Sequence, residues 1–181
     1  MHRRSHLRAL LEPHVPFDAE EAAHLARMRA LLSAEGDPFS RDHVAPGHFT
    51  ASAFILSPDA EALLLIFHGK LSRWLQPGGH VDADDRDILA AARREMREEV
   101  GLVDVPLERE GVFDLDVHDI PALKAEPPHA HFDVRFLFRA QSLGFQAGTD
   151  AKAARWVQLS EIDAQISDRS VLRAVDKLRA P

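Results

Sequence analysis

The chain has 181 residues and a formal net charge of −7, with 45% hydrophobic residues, no Cys and no Tyr. That length suits one domain with a buried core and some spare chain, while the absence of cysteine excludes a disulfide framework and fits a reducing, cytoplasmic setting. No apolar run reaches the ~18 residues of a membrane span, and the negative charge argues against a nucleic-acid polymer as partner, which would need a basic surface.

The first residues, MHRRSHLRALL, place basic side chains before a short apolar patch without the apolar core of a signal peptide, so they read as the start of an amphipathic helix. Residues 4–11 and 17–35 are expected as helices, separated by Pro13 and Pro16, with Asp18 capping the second. Ala22, Leu25, Met28, Leu31 and Leu32 recur at helical spacing and should face the rest of the domain. The segment 36–47, GDPFSRDHVAPG, carries turn residues and reads as a linker.

From His48 the pattern changes to strands. HFTASAFILS precedes a PDAE turn, and ALLLIFH is a nearly continuous apolar run of the kind found in buried strands. Residues 86–100 read as a helix with Asp84 or Asp85 available as its cap. GVFDLDVHD and HAHFDVRFLFRA are strand-like, and the latter alternates polar His131, Asp133 and Arg135 with apolar Phe132, Val134 and Phe136. AARWVQL reads as a last strand and SDRSVLRAVDKLRA as a closing helix. This order gives an α/β (α+β) class, a sandwich with a mixed sheet.

The most informative stretch is GGHVDADDRDILAAARREMREEVGL, residues 78–102. In a helix Glu95, Glu98 and Glu99 share one face within a turn, where like charges repel. A hard divalent cation with oxygen ligands reverses that repulsion. The run also fits a solvated helix face with Arg94 paired to Glu98, but that reading leaves PGGH, Gly101 and Leu102 unexplained. Leu89, Ala92, Met96 and Val100 form an apolar stripe on the other side.

The stretch resembles the Nudix box: Gly, five residues, Glu, seven residues, then Arg-Glu-U-x-Glu-Glu-x-Gly-U, with U a bulky aliphatic. Arg94, Glu95, Met96, Glu98, Glu99, Gly101 and Leu102 match its second half without a gap. From Gly79 five residues lead to Asp85, where the pattern has Glu, and eight residues rather than seven then reach Arg94. Asp85 is therefore expected to cap the helix instead of binding metal.

The resemblance implies an α/β/α sandwich over residues 46–181, preceded by an N-terminal helical extension, residues 1–45, packed on it. It implies Glu95, Glu98 and Glu99 as metal ligands with the Gly79 carbonyl as an added one, Mg²⁺ as the cofactor with Mn²⁺ as an alternative, and Arg94 holding the glutamates. Family members differ in their general base, and Asp133, beside His129 and His131, is a candidate for base or extra ligand. His129 and His131 also read as ordinary strand residues facing solvent, and no third ligand stands at a diagnostic zinc spacing. His68, Lys70 and Arg73 are candidates for binding substrate phosphates, and Trp74 reads as packing.

The function implied is a pyrophosphohydrolase that cleaves a nucleoside diphosphate derivative or a nucleoside triphosphate with metal-activated water. A non-catalytic ligand-binding or regulatory module is the alternative; such modules usually lose box glutamates. Isopentenyl diphosphate isomerases of this fold use a Cys, and some diadenosine polyphosphate hydrolases a Tyr, neither of which is present. The expected partner is a small nucleotide or diphosphate, with homodimerisation left open.

Overall fold

A computed structural model describes residues 2–69, 71–122, 127–148 and 153–180. The elements run α1 (His2–Leu11), α2 (Ala19–Ser33), β1 (Gly47–Leu56), β2 (Ala62–His68), β3 (Arg73–Leu75), β4 (Gly78–His80), α3 (Ile88–Val100), β5 (Asp114–Ile120), β6 (His129–Arg139), β7 (Ala154–Gln158) and α4 (Arg169–Arg179). Among the described residues, seven strands form one sheet in the order β3-β2-β1-β6-β5, with β4 on β1 and β7 on β2. Strand β2 is antiparallel to β1, β3 and β7, and β5 to β6. The α+β class and the helical N-terminus expected from the sequence are both present. Among the described residues no helix is long and apolar enough to cross a membrane.

Packing divides the chain into two compact units. The first comprises Met1–Ala51, Gly79–Ala92 and Gly111–Phe136. Here α2 lies against β5, the last strand of the sheet order. Leu25, Met28, Leu31 and Leu32 are buried, as are Leu7 and Leu11 of α1. Ala22 is exposed, contrary to the expected stripe, and Glu21 and His24 are buried in its place. The reason is the unpaired backbone of a terminal strand. Glu21 Oε1 accepts the Leu115 N–H at 3.2 Å, and His24 Nδ1 lies 3.1 Å from the Leu115 carbonyl oxygen. A buried strand edge must find such partners. Glu21 also accepts from Phe17 N and pairs with His14 Nε2 at 2.8 Å, so its buried charge is fully engaged. The 36–47 segment packs rather than merely linking: the Phe39 ring is 5.3 Å from Phe49, and Pro38 O accepts from Phe49 N at 2.7 Å.

The second unit comprises Ser52–Gly78, Arg93–Glu110 and Leu137–Pro181. Its centre is β2, paired edge to edge with β7, where Leu63, Leu64 and Leu65 are fully buried, as the continuous apolar run predicts. Helix α4 is capped by Asp168, whose Oδ1 accepts from Val171 N at 2.9 Å, and it buries Val171, Ala174 and Val175. Trp74 packs on Phe67 at 5.4 Å between ring centroids, with the Arg155 guanidinium 4.3 Å from its ring centre.

Candidate active site

Helix α3 starts at Ile88, two residues later than expected, because the cap is Asp87: its Oδ1 accepts from Ala90 N at 2.8 Å. Asp85 is not the cap. Its Oδ2 accepts the Asp82 N–H at 2.8 Å and its own N–H reaches Asp82 O at 3.2 Å, closing the loop ahead of the helix. The extra loop residue is absorbed in that turn. Arg3 of α1 reaches the same loop, donating to the carbonyls of Asp82 and Ala83 at 3.2 and 2.6 Å. Ile88, Ala92, Met96 and Val100 are buried along α3, while Leu89 of the expected stripe is only half-buried.

The C-terminal end of α3 is held by a strap that the sequence reading missed. Gly101 takes the left-handed conformation at φ 67°, and its N–H donates to Arg97 O at 3.0 Å. Gln146 N and Gly148 N then donate to the carbonyls of Val100 and Glu99 at 3.0 and 2.8 Å, satisfying acceptors that a helix end otherwise leaves unpaired. A Cβ on Gly148 would stand 1.9 Å from Glu98 O, so only glycine fits.

Between these ends lies the acidic face. Arg94 Nη1 donates to Glu95 at 2.9 Å and to Glu98 at 3.0 Å. Glu99 Oε2 accepts the Gly78 N–H at 2.8 Å, tying the start of β4 to the helix. The Glu95 side chain is 15% exposed and that of Glu98 49%. Three carboxylates on one helical turn make an all-oxygen donor set of the kind hard Mg²⁺ takes, so the chemistry of the residues fits that ion. Their oxygens do not converge as a ready-made group of three: Arg94 draws two of them and the Gly78 N–H the third.

The other expected site residues are placed as follows. Gly79 is half-buried in β4. Arg73 Nη1 donates to the carbonyls of Ala164 and Gln165, both at 3.0 Å. His68 is exposed at the end of β2, and its Nδ1 accepts from Leu71 N at 3.3 Å. Lys70 lies outside the described residues.

Asp133 sits in a buried cage, not on a solvent-facing polar face. It is 2% exposed; Oδ2 accepts from Arg135 Nε at 2.8 Å and Oδ1 from Thr50 Oγ1 at 3.2 Å. Arg135, 1% exposed, also binds Asp114 at 3.0 Å and Asp116 at 3.2 Å. Burial alone would raise the Asp116 pKa, but Arg135, together with His118 and His24, overrides it and holds the carboxyl far below its usual range. The alternation of polar residues along β6 is real, and their charges are neutralised inside the protein.

The same unit gathers histidines. His48 of β1, His80 of β4 and His131 of β6 place one ring nitrogen each within 4.8 Å of the others. Their ring centroids are 4.9–5.1 Å apart. His129 adds its Nε2 at 3.3 Å from that of His131. Burial, then the neighbouring His80, lowers the pKa of His48 to about 4 and that of His131 to about 3. The sequence shows only the pair at 129 and 131; the other two become neighbours through strand pairing, which spacing along the chain does not reveal.

The fold and the glutamate helix now carry a family assignment. The NUDIX domain model matches residues 46–175, and the chain belongs to that family. The family makes it a hydrolase acting on pyrophosphate bonds. Among solved structures, it is similar to a NUDIX-family hydrolase from Clostridium perfringens, at 22% identity over 73% of this chain and 96% of that one, TM-score 0.52. A MutT NUDIX hydrolase from Burkholderia pseudomallei is 24% identical over 71% and 95%, TM-score 0.55. The Escherichia coli dihydroneopterin triphosphate pyrophosphohydrolase is 16% identical over 71% and 92%, TM-score 0.56. These likenesses establish the fold. No curated protein sequence matches the chain.

Proposed function

We propose that the chain hydrolyses the diphosphate linkage of a nucleoside diphosphate derivative or a nucleoside triphosphate, using Mg²⁺ held by Glu95, Glu98 and Glu99 with the Gly79 carbonyl as a further ligand. The observation that carries this reading is the acidic turn of α3, cross-braced by Arg94 and tied to Gly78 through Glu99. A diphosphate concentrates negative charge at the bond to be cut, and a bound divalent cation supplies charge neutralisation and a more acidic water.

The chain's own residues do the rest. Arg94 orients Glu95 and Glu98 through charge-assisted bonds. Glu98, exposed where Glu95 and Glu99 are half-buried, is the one we assign to accept the proton of the attacking water. Asp133, with both oxygens engaged, is assigned to positioning Arg135 and not to proton transfer. Lys70 and Arg73 are assigned to the substrate phosphates, where cations offset the charge of the polyphosphate, with His68 assigned there as a hydrogen-bonding group. Residues 1–45 are assigned as an extension that covers β5 and braces the loop before α3, supported by Glu21 on Leu115 and Arg3 on Asp82. A chain free of cysteine suits a reducing cytoplasm.

The test is a hydrolysis screen with and without Mg²⁺ over nucleoside triphosphates, ADP-ribose, NADH, nucleotide sugars, dihydroneopterin triphosphate and dinucleoside polyphosphates. Mg²⁺-dependent turnover of one class supports the reading. Binding without turnover across the panel supports a ligand-binding module instead.

A further inference from the structure

We infer that His48, His80 and His131 form a second metal site, separate in chemistry from the glutamate helix, which takes a borderline transition-metal cation such as Zn²⁺. His129 stands ready as a fourth donor.

The geometry is that of imidazoles around one centre. Zn–N bonds of ~2.0–2.1 Å at tetrahedral angles put ligand nitrogens about 3.3 Å apart and ring centroids about 5 Å apart. The three ring-centroid separations are 4.9–5.1 Å, and the Nε2 atoms of His129 and His131 are 3.3 Å apart. Strands β1, β4 and β6 supply the donors, and β1 pairs with the other two, so the site is built on sheet and not on loops.

A second observation is independent of that spacing. His48 is 1% exposed, and its Nε2 is a buried polar atom with no hydrogen-bond partner among the described residues. Its other nitrogen, Nδ1, faces His43 O at 3.3 Å. His129 repeats the arrangement, with Nδ1 2.9 Å from Pro127 O. A carbonyl that takes the Nδ1 proton leaves the Nε2 lone pair facing the centre, as outer partners of metal-bound histidines do. An orphaned buried nitrogen is costly, and a cation removes that cost.

The cluster borders a carboxylate cage through His118. The His118 ring is 5.5 Å from that of His131 and its Nδ1 is 2.9 Å from Asp116. Asp116 belongs to the cage in which Asp114, Asp116 and Asp133 face the single guanidinium of Arg135. The histidines also line a cavity of about 380 Å³ that gives an ion a way in, with Arg41 on its wall. Imidazole donors suit Zn, Cu, Fe and Ni, whereas Mg²⁺ selects oxygen. The two sites should therefore sort two kinds of ion.

The experiment is calorimetric titration of chelator-treated full-length protein with Zn²⁺ in excess Mg²⁺, followed by Co²⁺, whose visible bands report tetrahedral nitrogen ligation. Wild type and Glu98→Gln are expected to bind one Zn²⁺ alike. His131→Asn should weaken binding about 100-fold or more, exceeding the 10–100-fold typical of an outer-shell loss. Because His48 is buried, His80→Asn at a half-buried position provides a second variant, with melting temperature confirming that both fold. Zn²⁺ binding unchanged in both histidine variants, or lost in Glu98→Gln, would overturn the proposal. So would displacement of Zn²⁺ by Mg²⁺.

Discussion

The Gly78 amide donates to Glu99 Oε2 across 2.8 Å, joining the start of β4 to the acidic face of α3. One hydrogen bond thus orients a carboxylate that its neighbours repel, and links a strand end to the proposed metal face. The opposite end of the helix is fixed by the Gln146–Gly148 strap on the Val100 and Glu99 carbonyls.

That strap makes Gly148 a sensitive position. In Gly148→Ala the new methyl would meet Glu98 O at 1.9 Å, so the strap must move. The expected cost is at least the ~1–3 kcal/mol of an overpacked site, with a fall in turnover as the helix end shifts. Urea unfolding and a rate assay check this; an unchanged midpoint would mean that the strap does not hold α3.

At the other end, Asp87→Ala should destabilise the protein by about 1 kcal/mol through loss of the cap, and Asp87→Asn much less. Asp85→Asn should keep most activity, since an amide oxygen can still accept from Asp82 N. A loss in Asp85→Asn as large as that in Glu98→Gln would place Asp85 among the metal ligands.

The buried cage predicts a pH dependence. The folded pKa of Asp116 is depressed, so its contribution to stability is present above the unfolded carboxyl value, near 4, and is lost as pH falls below it. Wild type should therefore lose melting temperature steeply below about pH 4. Arg135→Met removes the one guanidinium that Asp114, Asp116 and Asp133 all contact and should cost about 3–5 kcal/mol at pH 7. That penalty should shrink in acid, where Asp116, no longer held low by Arg135, takes up a proton. An equal penalty at pH 7 and pH 4.5 would contradict the assignment.

The acidic helix was legible because its glutamates lie on one turn of one element, so spacing alone puts Glu95, Glu98 and Glu99 on a face. Strand β2 was legible for a similar reason, its burial being written in ALLLIFH. What the sequence concealed depends on partners distant along the chain. Glu21 is buried because Leu115 needs an acceptor, and Asp133 because Arg135 needs a counter-charge. His48 and His80 meet His131 only through strand pairing. The cap moved from Asp85 to Asp87 because the longer loop first closes on itself.

Removing residues 1–40 should lower the melting temperature substantially and promote aggregation. Leu25, Met28, Leu31 and Leu32 would be lost from the first unit's core, each worth about 1.5–3 kcal/mol at most, and the β5 edge at Leu115 would be uncovered. Metal affinity at the glutamate face should survive wherever the truncated chain folds. A truncated protein that melts like the full chain would show that α2 contributes no packing.

The most direct measurement is the Mg²⁺ dependence of turnover in Glu98→Gln, using the substrate class found in the screen. Gln keeps the shape and removes one ligand charge, so the fold should be retained, with melting temperature equal to or slightly above wild type as repulsion on the helix face eases. Turnover should fall at least about 100-fold and stay low at saturating Mg²⁺. Near-wild-type rates at saturating Mg²⁺ would contradict the glutamate-helix mechanism.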